Sequence, residues 1–171
     1  MKNYFILAAT ILMLVAQGKT QDLKTKSLEM SKLDFMVGSW EGSGWYRSPD
    51  GKISNFNQTE DVQSKLDGLV LVVEGNGSLE NGENVHNAFA MITYDEETKK
   101  YSFNSHLADG KSIVADGWFN GDDFEWGFEP PQGGSILSSI NYENDTWKES
   151  GKYSPDGNQW YPFIEMTLKR K

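Results

Sequence analysis

The chain has 171 residues and no cysteine, and its 16 Lys plus Arg face 25 Asp plus Glu, which gives a formal net charge of −9. Such an excess of acidic side chains repels phosphate backbones and anionic membranes, so nucleic acid is not expected as a partner. The missing cysteines exclude disulfides and a cysteine-linked lipid anchor. Stability must therefore come from a hydrophobic core. A single domain of this length is large enough to bury one without disulfides.

The N-terminus has the pattern of a secretory signal peptide. Lys2 supplies a positive charge, residues 4–16 form an unbroken apolar run, and small residues follow at Ala16 and Gly18. The run is shorter than the roughly 20 apolar residues of a transmembrane helix, so no membrane span is expected. We predict that residues 1–18 are cleaved near Gly18 and that the protein is secreted or, since it lacks disulfides, periplasmic. A buried N-terminal helix is the alternative interpretation.

A short helix is predicted before the first strand. Residues 19–26 are polar and are expected to form a flexible lead, whereas Ser27–Met36 intersperses apolar and polar residues and predicts a helix or turn that ends before Gly38. Residues 19–32 are therefore assigned to the lead and the short helix. The remaining segment, residues 33–171, is predicted to be one β-barrel domain.

Turn dipeptides divide the chain after Gly38 into short segments rich in aromatic and β-branched residues, which are typical of strands. Gly75 and Gly77 are interpreted as part of a hairpin turn or a bulge. A long meander in one domain usually closes, because closure removes exposed edges, so we predict an all-β, closed antiparallel barrel of about ten strands, plugged by the N-terminal helix. An open sandwich is the alternative. The predicted strands are Ser39–Arg47, Lys52–Lys65, Leu69–Leu79, Asn84–Tyr94, Lys100–Leu107, Ser112–Phe119, Phe124–Glu129, Gly134–Tyr142, Thr146–Tyr153 and Trp160–Lys169.

The segment Leu33–Gly44 carries a family resemblance. It reads LDFMVGSWEGSG, in which a short helical turn precedes Gly-x-Trp at the start of the first strand, and this resembles the calycins, the superfamily of lipocalins and fatty-acid-binding proteins. The fuller form, with Trp40, Gly42 and Gly44, is similar to the nitrobindin-like and DUF1579-type barrels. The later stretch from Trp147 also resembles the DUF1579-type pattern.

The resemblance implies that a basic residue of the last strand packs over Trp40, and Arg170 matches that position. An indole at the start of a strand can close one end of a barrel, and Gly42 and Gly44 lie on the same face and leave room beside it. A guanidinium over the ring would add a cation–π contact of about 0.5–2 kcal/mol. All four residues are predicted to be structural.

Nitrobindin-like proteins bind haem through a histidine near the C-terminal strand, and this chain has none over residues 160–171. We therefore expect no haem and no peroxynitrite isomerisation, with His86 or His106 as fallback ligands. The same two histidines are the weak candidates for a general base, since polar residues surround both. Those polar neighbours also suit an ordinary solvated strand face. With two histidines and no cysteine, and without the ligand spacing of a calcium loop, no metal site is predicted.

Aromatic residues make up 13% of the chain and are its most suggestive functional feature. Several crowd two adjacent predicted strands, where an inward face would line a cavity and an outward face would form a patch for a partner. Plain core packing is the third interpretation. We predict a secreted lipocalin-like protein that binds a small hydrophobic molecule, with an enzyme of the isomerase or hydrolase type and a surface interaction module as alternatives. The predicted cavity residues are Trp118, Phe124, Trp126, Phe128, Met91 and Met166.

Overall fold

A computed structural model of the protein describes residues 22–171. The predicted signal peptide, residues 1–18, lies outside the described residues. Within the described part of the chain, no helix has both the length and the apolar character that crossing a membrane requires.

Two helical segments precede the barrel. Helix α1 covers residues 22–31, and after a turn a 3₁₀ helix covers Asp34–Met36. The helix thus begins earlier than predicted, within the segment expected to be a flexible lead. An ion pair of 3.4 Å joins Asp22 to Lys26 one turn later, which supports the first turn. Met30 and Leu33 are fully buried, so apolar packing holds this region against the barrel.

Ten strands follow, and each end lies within one residue of its predicted position. Each pairs antiparallel with the next in the chain, and β1 pairs with β10, so the sheet is a closed barrel rather than an open sandwich. The strands are β1 (Gly38–Arg47), β2 (Ile53–Lys65), β3 (Val70–Ser78), β4 (Asn84–Asp95), β5 (Lys100–Leu107), β6 (Ser112–Asn120), β7 (Asp123–Phe128), β8 (Ser135–Glu143), β9 (Thr146–Ser154) and β10 (Tyr161–Arg170).

One end of the barrel is packed solid beneath the helices. Inward side chains from most strands meet Met30, Leu33 and Met36 there in one hydrophobic cluster. The Tyr101 hydroxyl donates a hydrogen bond of 2.9 Å to the main-chain carbonyl of Glu29, which ties α1 to β5. The predicted plug is therefore present, and it closes this end of the barrel to solvent.

Arg170 joins the last strand to the plug. Its guanidinium carbon lies 4.2 Å from the centroid of the Trp40 ring, as the family resemblance implies. Nη2 donates a hydrogen bond of 3.0 Å to the carbonyl of Phe35, and Nη1 donates to the carbonyl of Val37. Trp40 Nε1 donates a bond of 2.8 Å to the carbonyl of Met36. These bonds give partners to carbonyls that the short 3₁₀ helix leaves free at its end.

Gly42 and Gly44 lie on the inner face of β1, where they allow the main chain of β10 to come very close. A Cβ at residue 42 would overlap the carbonyl oxygen of Thr167 and lie 2.9 Å from Leu168 Cα. The space beside Trp40 that the sequence assigned to these glycines is thus filled by the neighbouring strand.

Candidate functional site

Beyond the packed end, the barrel encloses a cavity of about 410 Å³. This volume lies within the range of small-molecule sites, roughly 300–1,000 Å³. Most of the wall is apolar or aromatic, because the inward positions of the strands carry such side chains. The polar exceptions on the wall include Gln58, Glu60, His86, Ser105, Ser138 and Glu149.

A row of parallel aromatic rings forms one side of the cavity. Trp126 and Phe128 lie two residues apart on the inner face of β7. Their ring centroids are 6.4 Å apart with an interplanar angle of 5°. Phe103, on β5, stacks on Trp126 at 4.6 Å and 3°. We call these three residues the aromatic wall. It offers a flat apolar surface on which a planar molecule can lie.

Two glutamates face the same interior. Glu60 shares the inner face of β2 with Phe56 and Val62, and only 7% of it is exposed. Burial raises its pKa to about 7, and the hydrogen bond of 2.6 Å that Gln58 donates to Glu60 Oε1 lowers it in part.

Glu149 lies on the inner face of β9 and is half-buried at the cavity. Burial and, to a smaller extent, the negative charge of Glu60 raise its pKa to about 8, although a hydrogen bond of 3.2 Å from Trp147 Nε1 acts to lower it. The two carboxyl groups therefore interact and keep protons near neutral pH.

Three buried polar atoms at the cavity have no hydrogen-bond partner within residues 22–171: Gln58 Oε1, Glu60 Oε2 and Trp126 Nε1. A buried polar atom without a partner costs about 1–3 kcal/mol relative to one that is satisfied. Two of the three are acceptors on neighbouring inward positions of β2. The cavity thus has unused hydrogen-bonding capacity, and most of it lies beside the acid pair.

Gly75 and Gly77 make room for these polar side chains. Both lie inside β3, where they pair with Glu60 and Gln58. A Cβ at residue 75 would lie 2.8 Å from Glu60 Oε1, and one at residue 77 would lie 2.5 Å from Gln58 Oε1. The hairpin-turn interpretation was wrong for this pair, since both glycines are in strand, although a register shift does follow Gly77.

The predicted cavity residues divide into three groups. Trp126, Phe128 and Met166 line the cavity. Phe124 instead lies in the packed end, fully buried, with its ring 5.3 Å from that of Tyr101.

Met91 and Trp118 do not line the cavity, because they have the outward parity on their strands. Met91 lies between the buried residues Ala90 and Ile92 and is 40% exposed. Trp118 follows the inward Gly117, and its Nε1 donates a hydrogen bond of 2.9 Å to Glu125 of the neighbouring strand. Their placement with the cavity residues is therefore corrected.

The two histidines lie on opposite faces of the barrel wall. His86 lines the cavity at its exposed rim, where partial desolvation lowers its pKa and favours the neutral imidazole. His106 is exposed on the outer face of β5, opposite in parity to the buried Ser105. In the described portion of the chain, no three His, Asp or Glu side chains cluster closely enough to hold a metal ion.

The acid pair and Gln58 were absent from the predicted site. The signal that could have found them is alternation: Glu60 has the parity of Phe56 and Val62, and Glu149 has the parity of Trp147. A glutamate at an inward position is unusual, because a buried carboxylate is costly unless it is paired or protonated.

Solved structures of other proteins share this architecture. The chain matches no protein-family model and no curated protein. Its structure is similar to that of Rv2717c from M. tuberculosis, with a TM-score of 0.62 and 13% identity over 83% of this chain and 96% of that chain. It is equally similar to the S-type phycobiliprotein lyase CPES from Guillardia theta, with a TM-score of 0.62 and 14% identity over 85% of this chain and 93% of that chain. The chain thus shares the closed antiparallel β-barrel fold of these two proteins, and the calycin and DUF1579-type resemblances stay predictions.

Proposed function

We propose that the barrel binds a small, largely apolar molecule in its cavity. The observation that carries this proposal is the cavity of about 410 Å³, bordered by the aromatic wall and by three unpartnered polar atoms. A barrel that acted only through its outer surface would need neither a hollow nor buried polar atoms that await partners. If the predicted signal peptide exports the protein, the ligand is met outside the cytoplasm.

The wall suggests how such a molecule is held. A planar apolar body would rest on Trp126 and Phe128 and exchange its contact with water for contact with these rings, at about 25 cal/mol per Å² of apolar surface buried. A polar group at one end of the molecule would reach Gln58 and Glu60 on β2, which lies across the barrel from β7. Apolar surface thus supplies affinity, and the few polar atoms fix orientation.

A catalytic role is the second candidate, and one observation favours it. Among the titratable groups at the cavity, burial raises the pKa of Glu60 to about 7 and that of Glu149 to about 8, while desolvation lowers the pKa of the rim residue His86. Groups that titrate near the working pH suit proton transfer in an isomerase or a hydrolase. The two candidates differ in outcome, because a binding protein releases its ligand unchanged whereas an enzyme releases a product of different mass or structure.

We expect the neutral fluorescent probe N-phenyl-1-naphthylamine to bind at one saturable site, with a fluorescence increase as it leaves water. Ala88→Trp places an indole inside the cavity and should weaken the affinity at least about tenfold, because a filled cavity excludes the probe. Titration of each protein at constant probe concentration measures the effect. Ser138→Leu, on β8, supplies a second blocking variant if Ala88→Trp folds poorly.

Phe89→Trp is the matched control, since Phe89 adjoins Ala88 but is exposed on the outer face of β4. This variant should bind the probe as the unaltered protein does. Absence of saturable binding, or equal affinity in both blocking variants and the control, would refute the proposed function.

A further inference from the structure

The charged groups around the cavity are arranged unevenly between its rim and its interior. Five titratable side chains border the cavity: Tyr46, Arg47, Glu60, His86 and Glu149. Arg47 and His86 are exposed at the rim, and Arg47 Nη1 donates a hydrogen bond of 3.3 Å to the carbonyl of Gly51 in the adjoining turn. Glu60 and Glu149 are less exposed than Arg47 and His86, which are the basic side chains that border the cavity among the described residues.

We propose that the ligand is a lipophilic organic cation, a flat apolar body that carries a protonated amine, and that the ammonium group binds against Glu60 and Glu149. This inference rests on the proposed function and names the class of molecule that the cavity takes.

Hydrogen-bonding capacity favours an ammonium group over other head groups. Gln58 and Glu60 are 3% and 7% exposed, and each presents a side-chain oxygen without a partner to the cavity. The Gln58 oxygen is an acceptor, and the Glu60 oxygen is one when the carboxyl group is ionised. A primary ammonium has three donors and no acceptor, so one such group can satisfy both oxygens and still contact Glu149. A hydroxyl has a single donor, and a carboxylate has none. Hydrogen bonds to a charged donor are also about twice as strong as those between neutral groups.

Charge favours the same choice. A carboxylate head group, as in a fatty acid, would bring a third acid beside Glu60 and Glu149, whereas the basic side chains that border the cavity, Arg47 and His86, are exposed at its rim. An ammonium instead relieves the repulsion by which Glu60 raises the pKa of Glu149. The aromatic wall adds attraction through its ring faces, and the net charge of −9 attracts cations toward the protein at long range.

Binding of a cation must then be linked to loss of protons. In the free protein both carboxyl groups keep protons near neutral pH, because they are buried and close enough to repel each other. A bound ammonium stabilises their ionised forms, so part of this proton population is released to the solvent. His86 acts in the same sense, since its protonation at low pH opposes a cation at the rim.

The test compares three probes with one apolar body: 1-naphthylmethylamine, 1-naphthalenemethanol and 1-naphthoic acid. Isothermal titration calorimetry at pH 7.5, in two buffers of different protonation enthalpy, gives both the affinity and the number of protons exchanged. We expect the amine to bind at least about tenfold more tightly than the alcohol and to release a measurable fraction of a proton, as a charge-assisted hydrogen bond implies. The alcohol should release none, and the acid should bind most weakly.

Variants assign the preference to the acid pair. The double variant Glu60→Gln with Glu149→Gln should lose both the preference for the amine over the alcohol and the release of protons on amine binding. Glu74→Gln makes the same type of substitution at one residue on the exposed outer face of β3 and should keep both effects. Because proton release is measured on the unaltered protein, the experiment tests the proposed binding of a cation even if the double variant folds poorly.

Equal affinity for amine and alcohol, tighter binding of the acid, or amine binding without proton release would overturn this inference. The proposed function would survive each of these results if N-phenyl-1-naphthylamine still binds and Ala88→Trp still blocks it. Loss of binding of that neutral probe would instead overturn both.

Discussion

Gly42→Ala should lower the free energy of unfolding by about 3 kcal/mol or more, or prevent folding altogether. The added Cβ would overlap the Thr167 carbonyl oxygen and lie 2.9 Å from Leu168 Cα, and both are main-chain atoms that cannot rotate away. Gly42 pairs with Leu168 in the β1–β10 ladder, the pairing that closes the barrel. Urea unfolding followed by circular dichroism measures the loss.

Ser43→Ala is the control for this prediction. Ser43 is the next residue of β1 and is exposed on the outer face, so its substitution should change stability by less than about 0.5 kcal/mol. If Gly42→Ala unfolded at the same urea concentration as the unaltered protein, the close approach of β1 and β10 would be disproved.

Raising the pH from 6.5 to 9 should lower the free energy of unfolding by on the order of 3 kcal/mol. Glu60 and Glu149 have folded pKa values of about 7 and about 8, both raised from 4.5. The folded state therefore binds more protons than the unfolded state above pH 4.5. Their contribution to stability is complete below pH 4.5 and is lost as the pH rises through 7 and 8. The lowered pKa of His86 acts in the opposite sense, but only below about pH 6.5, outside this window.

The double variant Glu60→Gln with Glu149→Gln should show nearly constant stability between pH 6.5 and 9. An amide has the size of the carboxyl group it replaces and does not titrate, so the packing is kept and the linkage is removed. Glu74→Gln should leave the pH dependence in place, since Glu74 is exposed on the outer face of β3. Identical pH profiles for the unaltered protein and the double variant would show that the acid pair is not buried as described.

The strands could be predicted closely because their signals are local. Asn-Gly dipeptides at residues 81–82 and 120–121 predict tight hairpin turns, which require positive φ. Gly82 and Gly121 have φ values of 84° and 64°. Between such turns, alternation in β5 separates the buried Tyr101 from its outward neighbours. The contact of Arg170 with Trp40 joins the last strand of the barrel to the first, and it was predictable only through the family resemblance.

The acid pair could not be predicted in the same way, because Glu60 and Glu149 lie on strands far apart in the sequence and interact only once the barrel has closed. Composition does not distinguish these two glutamates from the other acidic residues, since the chain has 25 Asp plus Glu. Strict use of parity would have flagged both as inward residues. Parity would also have placed Met91 and Trp118 on the outer face, whereas composition and proximity in the sequence had suggested that both line the cavity.

The helix needed information beyond its apolar pattern. Residues 22–26 are polar apart from Leu23, and their helical conformation is supported by the ion pair between Asp22 and Lys26 and by continuation into a segment anchored by the buried Met30. A polar segment that stays extended and one that forms the first turn of a packed helix have similar composition. The helical conformation is therefore determined by tertiary packing, which the sequence pattern does not show.

Carbon-13 NMR of protein labelled at the glutamate side-chain carboxyl groups gives the most direct test of the acid pair in the cavity. A pH titration should show two resonances with midpoints of about 7 and about 8, which disappear one by one in Glu60→Gln and Glu149→Gln. Saturating 1-naphthylmethylamine should move both midpoints downward. If every glutamate instead titrates near 4.5, and the amine moves none of them, the interior holds no such pair and the account is contradicted.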